Sequence, residues 1–339
     1  MRTAFIRTLV ELAAQDERVN LVVGDLGFGV VEAFANQFPK RFVNAGVAEQ
    51  NMTAIAAGMA LSGKIVFTYS IANFPTLRCF EQIRNDVCYH NANVIVASVG
   101  GGLAYGALGM THHATEDIAV MRALPNITVV APGDPLEAEL ATRALVAQPG
   151  PAYLRLGRSG EPLVHRQSPA SATPPGYGSC RDFQLGQAIQ LANGDDLTLI
   201  ATGTMLHTAV AVGERLCETG IHARVLSMHT IKPLDVAAVL AAARETRAIV
   251  TLEEHSITGG LGSAVAEVLA ESAVEKVPFK RLGLPSQFTS LVGSQEYLKQ
   301  AYSLTVDGIL ASITELLNRR DPAPLEFTRT RAFAQPFHD

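Results

Sequence analysis

The stretch Ile127–Ala147, ITVVAPGDPLEAELATRALVA, reads in succession as a strand, a helix start and a helix. Ile127–Ala131 is apolar and β-branched, which suits a pleated, buried surface. Asp134 stands at the cap position, and Pro135 fills the first turn, where its missing N–H costs nothing. Glu137 completes the spacing of a capping box. The helix is expected over residues 135–147.

The same alternation extends on both sides. Strands are expected at Leu21–Gly24, Arg41–Asn44, Ile65–Tyr69, Val94–Val99 and Ala152–Leu156, with helices near 30–37, 48–62, 76–89 and 116–123. It restarts with strands at Leu197–Thr202, Ala223–Ser227, Ala248–Leu252 and Lys280–Gly283, and ends in a long helix near 303–319. Such alternation builds βαβ units and a parallel, doubly wound sheet. Between the two series, residues 158–180 are rich in Pro, Gly and Ser. The expected organisation is an α/β domain over 1–160, a linker over 161–182, a second α/β domain over 183–320 and an irregular tail over 321–339. No internal repeat is visible.

A chain of 339 residues is long for one core, which agrees with two domains. Charged residues make up 17% and hydrophobic ones 48%, so large buried surfaces, including subunit interfaces, are expected. The net charge of −5, without a basic tract or any Trp, gives no nucleic-acid footprint. Cys79, Cys88, Cys180 and Cys217 are scattered, so neither a zinc site nor a disulfide framework is indicated. That suits a reducing, cytoplasmic setting. The N-terminal segment is an amphipathic helix pattern with Phe5, Leu9 and Leu12 on one face, not a signal peptide. Residues 87–115 lack Asp, Glu, Lys and Arg. Asn91, Asn93, glycines and histidines interrupt them, so they are not a membrane span.

Chemistry concentrates at a few places. In Asn44–Met52, NAGVAEQNM, Glu49 is the only charged residue between Phe42 and Gly63. A first-turn acid is favoured by the helix dipole. A carboxylate without nearby compensation, however, calls for a partner with a basic nitrogen or a proton to share. Gly100–Gly109, GGGLAYGALG, would let backbone approach a ligand, although it matches no phosphate loop and also reads as an ordinary loop after a strand. His112 and His113 follow in MTHHATED. Adjacent histidines splay apart and seldom share a metal, whereas one of them on a strand-end loop suits proton transfer near neutral pH. Arg78, Glu81 and Arg84 stand at helical spacing and read as an ion-pair face, with Phe74 just after a strand. The segment EEHSITGGLG, with Glu253, Glu254 and His255, reads as a structural turn feeding a helix rather than as a catalytic motif.

Taken in order, these pieces resemble the C-terminal half of transketolase. The resemblance rests on GVAEQ at 46–50, EQIRN at 81–85 and THH at 111–113, then ED at 116–117 and MRALPN at 121–126. It continues through LRLGR at 154–158, ATG at 201–203, IKPLD at 231–235 and EEHSITGGLGSAV at 253–265, covering Arg2 to about Arg319. It implies a thiamine diphosphate pyrimidine-binding domain followed by a transketolase C-terminal-type domain. Glu49 would then hydrogen-bond a pyrimidine nitrogen of the cofactor, favouring the imino tautomer that deprotonates the thiazolium. Phe74 would stack on the pyrimidine, and Asp25 would lie near the cofactor at a subunit interface. His112 would bind substrate and assist proton transfer, and Arg2 and Arg158 would bind its phosphate.

The family's Gly-Asp-Gly…Asn motif for metal and diphosphate is missing. The resemblance therefore implies the β-type subunit of a split enzyme, with Mg²⁺ ligands on an N-terminal-half partner subunit and an α₂β₂ assembly. Departures fall in the substrate region. Ile71 stands where a second aromatic is usual, Leu108 where an acid reads the acceptor's hydroxyl, Gly100 for a histidine and Gly29 for a serine. The resemblance implies transfer of a two-carbon ketol unit from a ketose to an aldehyde; the departures imply a non-standard donor or acceptor, and the two retained arginines an anionic substrate. The rival readings are the β subunit of a 2-oxoacid dehydrogenase, a deoxyxylulose-phosphate-synthase-like enzyme, and a non-catalytic interface subunit.

Overall fold

The computed structural model describes residues 1–165 and 183–318. Most of the stretch read as a linker and the whole tail at 321–339 lie outside the described residues. Twelve strands form two sheets among the described residues. They are β1 (Val19–Val23), β2 (Phe42–Asn44), β3 (Ile65–Ile71), β4 (Val94–Val99), β5 (Thr128–Val130), β6 (Ala152–Leu156), β7 (Ile189–Ala192), β8 (Leu197–Ala201), β9 (Ala223–Ser227), β10 (Thr230–Lys232), β11 (Ile249–Ser256) and β12 (Phe279–Leu284).

The first sheet runs β10-β5-β6-β4-β3-β1-β2 and is parallel except for β10. The second runs β12-β11-β8-β9-β7 and is parallel except for β7. The doubly wound α/β expectation therefore holds in both. Strands such as β1 (VNLVV) and β4 (VIVASV) are buried at every position, because helices cover both faces of a parallel sheet. Helices Arg2–Gln15 and Pro135–Ala147 pack on one face of the first sheet, around Phe5, Leu9, Phe67 and Leu145. Helices Glu49–Leu61 and Asp117–Ala123 cover the other, around Met52, Ala56, Ile118 and Met121.

Local expectations hold with instructive exceptions. Asp134 Oδ1 accepts from Glu137 N at 2.8 Å, as a cap should. Glu137 reaches back one residue further than a capping box, accepting from Gly133 N at 2.6 Å. The helix expected at 76–89 is broken into a short α-turn, Phe80–Gln82, and a π-helix, Ile83–Cys88. β7 and β10 were not anticipated. β10 lies beyond the second series' first strands, yet it adds antiparallel to β5 at the edge of the first sheet. Ala131 N donates to His229 O at 2.7 Å, and Lys232 Nζ donates to the carbonyls of Arg122 and Leu124 at the end of helix Asp117–Ala123. The two halves are thus stitched through backbone as well as side chains.

Candidate functional site

In a doubly wound sheet, ligands bind beyond the carboxyl ends of the strands, where the strand order reverses. Here the chain leaves β1 toward β2 and returns on the other side to β3, so the switch lies between β1 and β3. Glu49, the first residue of helix Glu49–Leu61, sits there with 1% of its surface exposed. A Cβ built on Gly24, just past β1, would stand 3.3 Å from Glu49 Cγ and 3.6 Å from Ser70 Oγ. Gly24 thus makes room for the acid.

Glu49 is not without a counter-charge. Arg78 Nη1 donates to its Oε2 at 2.6 Å, and the Arg78 guanidinium lies over the Phe74 ring, 4.8 Å from its centroid. The ion-pair face expected from Arg78, Glu81 and Arg84 is therefore not what forms. Arg78 turns inward to Glu49, and Arg84 Nη1 donates to Asn85 Oδ1. Sequence reading missed this because the two partners lie 29 residues apart.

Phe74 also meets His112, edge to face, with ring centroids 5.2 Å apart. His112 Nδ1 lies 3.0 Å from Thr111 Oγ1, leaving Nε2 for another partner. Asn73 Nδ2 donates to Thr111 O at 2.6 Å, tying the β3 exit to the histidine loop. Ile71 ends β3, two residues before Asn73. His113 diverges from its neighbour. It is buried, with Nε2 3.4 Å from Gly106 O, so the two histidines do not share a site. Among the described residues, no three His, Cys, Asp or Glu side chains are placed to hold a metal.

A second corner lies beside this one. Arg2 opens the N-terminal helix, and its Nε is buried without a hydrogen-bond partner. Tyr69, 1% exposed on β3, carries an equally unpartnered hydroxyl. Burial pushes its ionisation far up, with Arg2 opposing and Tyr105 adding to the rise. Arg158 follows β6 and lies over the Tyr105 ring, 5.1 Å from its centroid. Gly100, at φ +86°, follows β4. Asp25, at φ +55°, is held by Asn44, whose Nδ2 donates to Asp25 Oδ1 at 2.8 Å.

The glycine loop is not a loose connection. Its neck is closed by reciprocal hydrogen bonds between Gly102 and Ala114, each 2.9 Å. Glu254, on β11 of the other sheet, clamps it. Its carboxylate accepts from Leu103 N at 2.6 Å, from Gln295 Nε2 at 2.8 and 2.9 Å and from Thr204 Oγ1 at 3.1 Å. Leu108, at the tip, is 54% exposed. Glu253 serves as the structural turn expected, accepting from Leu261 N and Gly262 N at the start of helix Leu261–Glu271. Burial raises its pKa to about 7. His255 is buried beside Asp117 and Arg155, and burial lowers its pKa to about 4. Arg155 Nε donates to Asp117 at 2.7 Å, and its Nη2 donates to Glu254 O at 3.0 Å, across the two halves. Arg155 and Tyr105 were not singled out from sequence, and Glu254 was read only as part of a structural turn, not as a clamp on the glycine loop.

Strand-end loops carrying a buried acid, an aromatic face and a histidine, braced by a second sheet, define a two-domain α/β ligand-binding protein. The chain belongs to the transketolase family. Residues 1–161 match the transketolase pyrimidine binding domain, and residues 186–309 match the transketolase C-terminal domain. An apulose-4-phosphate transketolase subunit from Phocaeicola vulgatus is 40% identical, over 94% of this chain and 97% of that one. The 6-deoxy-6-sulfo-D-fructose transketolase subunit SqwH from a Clostridium species is 37% identical, over 95% of each. A solved split-gene transketolase, an inactive β4 tetramer, superposes with a TM-score of 0.80 at 37% identity, over 93% of this chain and 97% of that one. Ketol transfer is the chemistry of this family, and membership implies thiamine diphosphate. No helix among the described residues is long and apolar enough to cross a membrane.

Proposed function

We propose that this chain is the pyrimidine-side subunit of a split, thiamine diphosphate-dependent transketolase. It would move a two-carbon ketol unit from an anionic ketose to an aldehyde. The observation that carries the reading is Glu49, a buried carboxylate at the β1–β3 switch with Phe74 and His112 beside it. The residues fit the cofactor's aminopyrimidine. Glu49 offers the acid, Phe74 offers a ring face, and Ser70 Oγ and Asn73 Oδ1 are buried polar atoms without partners. When bound, the cofactor supplies the carbanion chemistry. This chain's part is to orient it through Glu49, with Ile71 and Asp25 flanking, and to handle substrate protons at His112 Nε2. Arg78 holds Glu49 in the chain alone and must yield the carboxylate and the Phe74 face when a pyrimidine enters.

Phe28 and Val47 are 78% and 75% exposed on the loops beside Glu49. Apolar residues this bare beside a site favour cover by another chain. The partner would be an N-terminal-half subunit carrying the Mg²⁺ and diphosphate ligands, in an α₂β₂ complex of the cytoplasm. Two relatives are named for a phosphorylated and a sulfonated sugar, both anionic, which agrees with Arg2 and Arg158 on the substrate side. Leu108, bare where the family carries an acid, favours an acceptor without the usual hydroxyl there.

The test is a native mass spectrum of the tagged chain drawn from its own cells with Mg²⁺ and thiamine diphosphate added, followed by assay of ketol transfer. A heteromer that holds the cofactor and transfers ketol units is expected. A homo-oligomer without cofactor, or an Ala variant of Glu49 with unchanged turnover, would overturn the reading in favour of an interface subunit. Decarboxylation of pyruvate would overturn it in favour of a deoxyxylulose-phosphate-synthase-like enzyme.

A further inference from the structure

We propose that Tyr105 is a specificity-determining residue, its ring standing in for the side chain that Gly100 lacks and closing, with Arg2, Arg158 and Tyr69, the pocket for a tetrahedral oxyanion on the substrate. This rests on the transketolase reading and deepens it.

Four observations carry it. A Cβ built on Gly100 would overlap the Tyr105 ring, so the ring occupies the volume of a residue-100 side chain. Gly100 is suited to this twice over, by that overlap and by its φ of +86°. The ring is held in place. It leads the turn Gly106–Leu108, in a loop closed at its neck and clamped by Glu254. On its face lies the Arg158 guanidinium, an arrangement in which the ring quadrupole orients a planar cation.

The corner also carries uncompensated positive charge. Among the described residues, neither Arg2 nor Arg158 pairs with a carboxylate, and Arg2 Nε and the buried Tyr69 hydroxyl have no hydrogen-bond partner. Buried donors of this kind are satisfied by an acceptor rather than left bare. Two guanidinium groups and a phenol, none bonded to a carboxylate (the nearby Glu161 is taken by the Met1 ammonium), suit a phosphate monoester or a sulfonate, each with three terminal oxygens. An aromatic wall in place of a histidine makes the pocket depend on the ring's shape and on Arg158's posture. Tyr105 is therefore a better handle on specificity than the loop's exposed tip.

The experiment uses the complex with its partner subunit, carrying wild type, Tyr105→Phe or Tyr105→Ala. Three ketose donors share one skeleton: D-fructose 6-phosphate, 6-deoxy-6-sulfo-D-fructose and D-fructose. Tyr105→Ala is expected to lower kcat/KM for the preferred charged donor relative to D-fructose by about ten- to a hundredfold, mostly through KM, as for a lost contact to a charged group. Tyr105→Phe should fall between. The preferred arm, phosphate or sulfonate, identifies the oxyanion. In parallel, the full chain is titrated with inorganic phosphate and with sulfate while its thermal unfolding is followed. Wild type should be stabilised, and Tyr105→Ala should lose that response. An unmoved donor ratio together with an unmoved anion response would overturn the proposal, as would an equal fall for charged and uncharged donors. If the wild-type complex transfers no ketol unit, the functional reading fails and the anion titration alone judges Tyr105.

Discussion

Replacing Glu254 by Ala should loosen the loop that carries Tyr105, Leu108 and His112, and the cost can be worked from its bonds. Glu254 is 1% exposed and Leu103 is fully buried. Without the carboxylate, the Leu103 N–H has no acceptor at 2.6 Å and no water, a loss of about 1–3 kcal/mol. The Thr204 hydroxyl and the Gln295 amide are only partly buried and regain water, so about 0.5–1 kcal/mol each is reasonable. The total is roughly 2–5 kcal/mol, a large share of the stability of an ordinary domain. Urea unfolding at pH 7 measures the global part. Hydrogen exchange at Gly102–Ala114 measures the local part, because the neck bonds between Gly102 and Ala114 should open more often than the sheet behind them. Glu254→Gln keeps a carbonyl for Leu103 and should recover most of both. The reasoning is wrong if Glu254→Ala costs under about 1 kcal/mol, or if it lowers global stability while loop exchange rises no more than that of β4.

Other consequences follow from the same geometry. Glu49→Gln should fold as wild type, since the half-exposed Arg78 can turn to water, yet lose activity by on the order of a hundredfold or more in steady-state assay of the complex. Arg78→Ala strands a buried carboxylate and should lower stability in urea unfolding by about 1–3 kcal/mol, a loss that adding Glu49→Gln largely removes in a double-mutant cycle. Glu137→Ala should cost about 3–5 kcal/mol in the same assay, because it leaves His165, Ser227 and Gly133 donors buried around a hole. His255 stays neutral when folded, so its contribution is present above pH 6.5 and is lost as pH falls toward 4. Glu253 stays protonated, so its contribution is present below pH 4.5 and is lost as pH rises to about 7. The two slopes oppose each other in wild type, and His255→Gln should therefore leave stability falling by on the order of 1 kcal/mol per pH unit from pH 5 to 7, where a flat profile would count against this account.

Much of the fold was legible because its strands are buried on both faces and announce themselves as short apolar runs between turn signals. β3, β4 and β6 were read within two residues of their ends. β10 was not, because three residues, TIK, carry no periodicity and their pairing with β5 depends on how the two halves meet. The π-helix at Ile83–Cys88 was hidden for a similar reason, since its residues have ordinary helical spacing. At the site, Glu49 stood out by isolation and His112 by its place on a strand-end loop. Their roles came from the resemblance to transketolase and not from spacing. The partners of Arg78 and Glu254 were illegible because each contact spans a long stretch of chain, 29 and 151 residues.

Those two long-range contacts divide the labour of the site. If Glu49 receives a pyrimidine, as proposed, it cannot sit uncompensated in the chain alone, since a lone buried carboxylate costs several kcal/mol. A permanently buried cation would solve that problem but would block the ligand. Arg78 solves it differently: it is 48% exposed, so water offsets part of what it loses on leaving Glu49. Glu254 faces the opposite requirement. It must never let go, and it is fully enclosed, with every contact made to a group of its own chain. Exposure of the partner thus separates an exchangeable ion pair from a permanent clamp. The same criterion places Arg158 with the exchangeable groups, because it rests on an aromatic face in solvent reach instead of on a carboxylate.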